Sequence, residues 1–198
     1  RDLDLVATEA PGWIRHCAAL GEDRGQRYCG YLLHVTDVLR GRKGADEAAW
    51  AAARDELYGS DRAPDDKSME GTFHIWRISV ALFLGDTATA ASIADGAEAW
   101  IKAMPGAIQL YSVVSHIAQA RLIEALGATG RRRVQLAALA ARDLHRLRGW
   151  AAGAPAVFGH RVRLVEALGF ELGGQREVGG HVREAGLGER GLDGAHRP

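Results

Sequence analysis

TFHIWRISVALFLGDTATAASIADGAEAWIKAM, residues 72–104, is the stretch that decides the fold. Its first half repeats large apolar residues at helical spacing, and its second half carries one apolar stripe of mostly small residues. Between the halves, Gly85 can take the left-handed conformation that ends a helix, and the carboxylate of Asp86 can cap the next helix. The stretch therefore predicts two helices folded back on each other about a tight turn.

The first of these helices is apolar on two sides, and the second on one. The first helix has one face of Phe73, Trp76, Val80, Phe83 and Leu84, and another of Ile75, Ile78 and Leu82. The stripe of the second helix consists of Ala90, Ile93, Ala94, Ala97, Ile101 and Met104. A helix with two apolar faces needs a neighbour on each. We therefore expect this hairpin to lie within a larger stack of helices.

The composition favours an all-α protein with one continuous domain. The chain has 198 residues, is 47% hydrophobic and lacks the alternating β-branched pattern of strands. A stack of this length holds about five helix pairs of roughly 34 to 40 residues each. We predict a single helical domain over residues 1–185, and a flexible, glycine-rich tail over residues 186–198. The start at Arg1 rather than Met leads us to expect a piece of a longer chain.

Apolar periodicity predicts further helices on both sides of the hairpin. They cover residues 3–10, 13–20, 26–39, 47–58, 108–126, 131–150, 156–172 and 175–185. Pro11-Gly12 is expected to separate the first two, and Gly173-Gly174 to turn between the last two. In the helix of residues 131–150 we expect a basic outer face and an inward stripe of Val134, Ala137, Ala138, Ala141 and Leu144.

The charge and cysteine content limit the partners and the compartment. Net charge is zero, although residues 45–72 hold eight acids and three bases, and residues 121–163 hold nine bases and two acids. This balance gives no overall attraction to nucleic acid or acidic lipid. There are two cysteines, no apolar run of membrane-spanning length and no signal peptide. We expect free thiols, no membrane association and a cytoplasmic location.

No metal site is predicted. Cys17, Cys29, His16 and His34 are residue types that zinc takes, but they lack the close pairs of a zinc finger. Both cysteines instead fall in helical stripes where a small apolar residue serves.

No catalytic site is predicted either. His116 lies in VVSHIAQARL, which is faintly like the phospho-acceptor helix of histidine kinases, but Ile117 replaces the acid that follows the acceptor. A histidine on a helix surface is the preferred interpretation. The chain contains no GxxxxGK[ST] phosphate loop, no kinase signature and no GxSxG nucleophile motif, so neither a catalytic residue nor a cofactor is proposed.

Nucleic-acid binding is weighed against a solvated basic face. The arginines that could contact phosphates are Arg131, Arg132, Arg133, Arg142, Arg146, Arg148, Arg161 and Arg163. Aromatic residues are not interleaved with them as single-strand binding requires. A solvated face, or an interface with an acidic neighbour, is the preferred interpretation.

The spacing of small residues resembles a known repeat. Ala90 and Ala97 follow Gly85 by five and twelve residues, which resembles the tetratricopeptide pattern of a glycine turn and two spaced alanines, and Gly173 and Ala185 repeat the twelve-residue offset. Residues 82–107 and 142–185 together look like the helical-repeat region of large bacterial signalling proteins. Those proteins join a serine/threonine or histidine kinase to a STAND-type ATPase. The resemblance implies a tetratricopeptide-like α-solenoid that docks partners and transmits to the kinase and ATPase.

The preferred prediction is a non-catalytic scaffold that binds a protein, a peptide or neighbouring domains of its own chain. Its binding surface is predicted to use exposed polar side chains of first helices, with His74 and Arg77 as candidates held by the packing of their apolar neighbours. One alternative is a part of an enzyme, a kinase with an ATPase, whose active sites lie before Arg1. A second alternative is a stand-alone ligand-binding helical domain, which would need a pocket lined by aromatic residues.

Overall fold

The computed structural model describes residues 2–58, 67–102 and 109–188, excepting the side chains of residues 58, 67, 68, 109 and 174–188. Within these residues the chain is about 90% helical and has no strand, which confirms the all-α prediction. The helices are α1 (Asp2–Ala19), α2 (Asp23–Leu39), α3 (Glu47–Tyr58), α4 (Lys67–Leu84), α5 (Thr87–Ile101), α6 (Gln109–Gly127), α7 (Gly130–Gly153) and α8 (Pro155–Gly188). The predicted loop of residues 59–66 and the Pro105-Gly106 break lie outside the described residues.

The turn between α4 and α5 forms as predicted. Gly85 has a φ of 75°, the left-handed conformation that glycine adopts without strain. The carboxylate of Asp86 accepts a hydrogen bond from the Thr89 N–H at 3.1 Å and so caps α5. The bonds from Thr89 hold the pKa of Asp86 below its usual value. The local sequence therefore determines where α4 ends and α5 begins.

The chain divides into two compact units, residues 1–120 and residues 121–198, with the boundary inside α6. In the first unit α4 lies between two apolar cores, as its two apolar faces predicted. One core joins α4 to α5 and the first part of α6 through residues that include Ile75, Ile78 and Ile117. The other joins α4 to α2 and α3 through residues that include Phe73 and Trp50.

The end of α4 departs from the predicted stripe. The sequence predicts Phe83 and Leu84 on a buried face, but their exposures are 76% and 50%. Both residues lie in the last turn of α4, beside Gly85, where the described residues leave them largely uncovered. In α5, by contrast, the stripe is confirmed, because Ala90, Ala94 and Ala97 are completely buried. Met104, the last predicted member of that stripe, lies outside the described residues.

Two predicted helix breaks are wrong. Pro11 lies inside α1, which runs unbroken from Asp2 to Ala19. Proline costs a helix one hydrogen bond, and the packing of α1 on α2, with Ala10 buried, compensates for this loss. The turn at Gly173-Gly174 is also absent, since α8 continues through it to Gly188. Gly173 does not take the left-handed conformation that a helix-ending glycine needs.

Gly173 and Ala185 are therefore not the turn and the second helix of a further hairpin, because both lie in α8. Residues 186–188 of the predicted tail also belong to α8, and residues 189–198 lie outside the described residues.

In the second unit α7 packs on α8, but its buried face differs from the predicted one. The predicted inward residues Val134, Ala138 and Ala141 are exposed. The buried stripe is instead Leu136, Ala140, Asp143, Leu147 and Ala151. The buried stripe has helical spacing but contains Asp143. The row beside it is apolar throughout, so the sequence pattern predicts that this row, rather than the buried one, faces inward.

Candidate functional site

An apolar groove in the second unit is the most distinctive surface feature of the described residues. Its volume is about 240 Å³. It is lined by Leu122 of α6, by Ala137, Ala140, Ala141 and Leu144 of α7, and by Val165, Gly169, Leu172 and Gly173 of α8. The lining therefore consists of aliphatic side chains and glycines, without a charged or aromatic residue.

The groove exists because the two facing helices present small residues. A Cβ added at Gly169 or at Gly173 would meet no heavy atom within 4 Å, so both glycines open onto empty space. The alanines of α7 opposite them are equally short. Larger side chains at these positions would fill the space, as they do in an ordinary helix contact.

Polar contacts join α7 to α8 near the groove. The Arg133 guanidinium donates to the Leu172 carbonyl at 2.9 Å. The Arg148 guanidinium donates twice to one carboxylate oxygen of Glu166, at 2.6 and 2.9 Å. These contacts tie α7 to α8 on either side of the helix pair.

Two exposed apolar side chains lie on the helices that line the groove. Val134 lies three and seven residues before Ala137 and Ala141, so helix geometry places it on their side of α7. Phe170 lies three residues before Gly173 on α8, and its exposure of 81% is the highest among the large apolar residues described. We call the space lined by these helices the α7–α8 groove.

Behind the groove, a buried ion pair ties α6 to α7. The Arg121 guanidinium donates to the Asp143 carboxylate, and both side chains are almost completely buried. Arg146 and Arg142 also approach this carboxylate, at 3.9 and 4.0 Å. Burial nevertheless raises the pKa of Asp143, while the neighbouring arginines act in the opposite direction. One sign of this pair is visible in the sequence, namely an acid at helical spacing within a row of apolar residues.

The predicted binding residues His74 and Arg77 do not lie on an exposed surface. The ring of His74 stacks on Trp100, with centroids 5.6 Å apart. The Arg77 guanidinium pairs with Glu47 of α3 and lies over the Phe73 ring, and only 10% of its side chain is exposed. The exposure expected of both residues is therefore wrong, because α3 and α5 cover this face of α4. Their participation in binding stays a prediction.

These residues belong to a larger aromatic cluster among α2, α3, α4 and α5. The ring of His34 contacts Trp50 at 4.6 Å, and Trp50 contacts Phe73 at 5.6 Å. Neither ring nitrogen of His34 has a hydrogen-bond partner, although the residue is almost completely buried. Burial lowers the pKa of His34, and it lowers the pKa of His74 to about 4. In both rings, burial therefore favours the neutral form.

The residues considered for metal and phosphate chemistry do not converge on one site within the described part of the chain. Cys17 and Cys29 are free, half-buried thiols of α1 and α2, whereas His34 packs on Trp50. Among the described residues, no group of three or more His, Cys, Asp or Glu side chains could hold a metal ion. His116 is half-buried and hydrogen-bonds through Nδ1 to the Ser79 hydroxyl at 3.0 Å, so it is not the exposed histidine that the sequence indicated.

The arginine series is partly consumed by pairing within the second unit. Arg132 binds the Glu124 carboxylate at 2.8 to 3.1 Å, and Arg148 binds Glu166.

No protein-family model matches the chain, and neither a curated protein nor a solved structure matches it. No helix within the described residues is long and apolar enough to cross a bilayer.

Proposed function

We propose that this chain is a non-catalytic helical-repeat scaffold, of the tetratricopeptide-like kind, that binds an amphipathic helix of another protein or of a neighbouring domain. The observation that carries the proposal is the α7–α8 groove, an open channel lined by aliphatic side chains and glycines. Helix-in-groove recognition uses such a surface, because a partner helix inserts apolar side chains spaced by three, four and seven residues.

The size and lining of the groove favour a partner helix over a small molecule. Small-molecule sites commonly measure about 300 to 1,000 Å³ and place a few polar groups to orient the ligand. This groove is smaller, at about 240 Å³, and its lining offers no polar side chain. The aromatic lining required by the ligand-binding alternative is also missing from it. Exposed Val134 and Phe170 lie on the helices that line the groove.

The charge of the second unit indicates the flanks of the partner helix. Residues 121–173 contain nine arginines against four acids, namely Glu124, Asp143, Glu166 and Glu171, a surplus of five positive charges. Opposite charge around an apolar contact speeds association and selects the partner. The partner is therefore an amphipathic helix with acidic residues beside its apolar face.

The wider setting of the proposal rests on the resemblance alone. A region of this kind in a bacterial signalling protein would dock a partner and pass the event to a kinase or an ATPase elsewhere in the same chain. In that setting the enzyme alternative and the scaffold describe the same molecule, since catalysis would belong to other domains. The isolated chain would then bind its partner without turning over ATP.

The test compares a groove-filling variant with a matched control. Gly169→Leu places a large side chain in the groove, and Gly149→Leu places the same side chain on an exposed part of α7; an added Cβ meets no atom within 4 Å at either site. Both substitutions remove a helical glycine, which raises helix propensity by about 1 kcal/mol. Neither variant is therefore expected to lose stability.

The probes are two labelled peptides of about 20 residues that share an alanine-leucine apolar face and differ only in flanks of Glu or of Lys. Fluorescence anisotropy should show saturable binding of the Glu peptide, weakened at least tenfold by Gly169→Leu and unchanged by Gly149→Leu. The Lys peptide should bind more weakly, because its flanks repel the arginines. The proposal would be refuted if neither peptide bound saturably, or if Gly169→Leu and Gly149→Leu weakened binding of the Glu peptide equally.

A further inference from the structure

The two cysteines, twelve positions apart in sequence, are brought together by the packing of α1 on α2. The thiol of Cys29 shares a hydrogen bond with the thiol of Cys17. Both thiols are free and half-buried, so small solutes can reach them. The sequence predicted free thiols but gave no reason to expect them in contact.

A glycine on α2 provides independent evidence for this placement. A Cβ added at Gly25 would lie only 2.9 Å from the Cys17 sulfur, so this sulfur rests directly on the backbone of α2. Cys29 follows Gly25 by four residues and therefore shares its helix face. Side chains lean toward the N-terminus of their helix, which directs the Cys29 thiol toward the turn that contains Gly25. Both sulfurs thus lie beside the same turn of α2.

We propose that Cys17 and Cys29 are an oxidation site at which a peroxide closes a disulfide that fastens α1 to α2. One thiolate attacks the O–O bond of hydrogen peroxide, which gives a sulfenic acid and hydroxide. The second thiolate then attacks the sulfenic sulfur, so the S–S bond forms as the S–O bond breaks. Two thiols and one hydrogen peroxide yield one disulfide and two molecules of water.

The other contacts of α1 explain why this bond would matter. Pro11 interrupts the hydrogen bonding of the helix, and Ala10 is its one buried residue. At its other end α1 is tied to α2 by an ion pair of Asp4 with Arg40, at 2.8 Å, and Asp4 is largely exposed. Exposed ion pairs hold weakly. A covalent bond at Cys17 would therefore change how firmly α1 is held, which makes the α1–α2 pair sensitive to redox state.

The dithiol is the resting form in a reducing compartment. Burial raises the pKa of Cys29, and the neighbouring Cys17 adds to this effect. Because the thiolate is the nucleophile, the reaction should accelerate as the pH rises. The disulfide should therefore form when an oxidant is present, and it should form faster at alkaline pH.

The experiment treats the full chain with hydrogen peroxide, with and without urea, and follows disulfide formation by intact mass and by trypsin digestion. The expected product is a monomer in which residues 16–24 and 28–40 are joined. It should form at least tenfold faster in the folded chain than in urea, and it should raise Tm by about 6 to 12 °C, reversibly with reductant.

Cys17→Ser and Cys29→Ser serve as controls, and each should abolish both the joined peptide and the rise in Tm. Equal rates in the folded and urea-unfolded chains would overturn the proposal, because they would show that the fold does not bring the sulfurs together. Sulfinic acid or disulfide-linked dimers as the main products of the folded chain would overturn it as well.

Discussion

At the scale of single residues, Asp143 is an acid buried within the apolar stripe of Leu136, Ala140 and Leu147. The residue is buried because Arg121 reaches it from α6, a contact 22 residues away in sequence. Local periodicity carries no information about such a partner, and only the packed structure reveals it.

Removing one member of this buried pair should be far more harmful than removing both. Asp143→Asn leaves the Arg121 guanidinium buried without its counter-charge, which costs about 3 to 5 kcal/mol. The double variant Arg121→Met with Asp143→Leu removes both charges and should recover most of that loss. Urea unfolding monitored by circular dichroism measures each free energy of unfolding.

The exposed pair of Arg148 and Glu166 provides the control for this prediction. More than half of the Arg148 side chain is exposed, so Arg148→Met should cost less than about 1 kcal/mol. A loss as small for Asp143→Asn would contradict the buried pairing described here.

At the scale of elements, the sequence predicted helices well where the start and stop residues act locally. Gly85 and Asp86 determine the α4–α5 turn through their own backbone and side chain, and both behave as predicted. Helix breaks at Pro11 and Gly173 were predicted from the same residue types but did not form. Proline and glycine make a break possible, whereas packing on a neighbouring helix decides whether it occurs.

The α7–α8 groove, by contrast, could not be predicted from the residues of its helices alone. Its lining residues are apolar or small positions of three predicted helices and of the predicted turn at Gly173, and the sequence places several of them in buried stripes. What the sequence could not give is the distance between the helices. Empty space beside Gly169 depends on how α7 and α8 are held, through contacts such as Arg133 with the Leu172 carbonyl. A cavity is an absence of contacts, and no sequence pattern encodes it.

The α4–α5 pair should tolerate a larger side chain on the outside of α5 but not on the inside. Ala90 and Ala97 are completely buried, so Ala90→Leu or Ala97→Leu forces strain of about 1 to 3 kcal/mol. Ala99 is exposed on the same helix, and Ala99→Leu should change stability by less than about 0.5 kcal/mol. Thermal melts compare the three variants, and equal Tm values for all of them would contradict the close α4–α5 contact.

At the scale of the whole molecule, the net charge is zero, but the two units bury different ionisable groups. The first unit buries the neutral histidines His34 and His74, whose pKa values are lowered. The second unit buries the carboxyl of Asp143, whose pKa is raised. Protonation of the buried histidines in acid should therefore destabilise the first unit.

Between about pH 6.5 and pH 4, the unfolded chain binds a proton at His74 that the folded chain does not, because burial and the nearby Arg77 and Arg54 lower the folded pKa to about 4. The first unit therefore loses about 3 kcal/mol over this range from His74 alone, and His34 acts in the same direction. Hydrogen exchange, corrected for its intrinsic pH dependence, should show α4 and α5 losing protection in acid before α7. His74→Phe keeps an aromatic ring on Trp100 but cannot take up a proton, so it should remove most of the loss. If His74→Phe loses as much protection in acid as the parent chain does, the buried neutral histidine is not the cause.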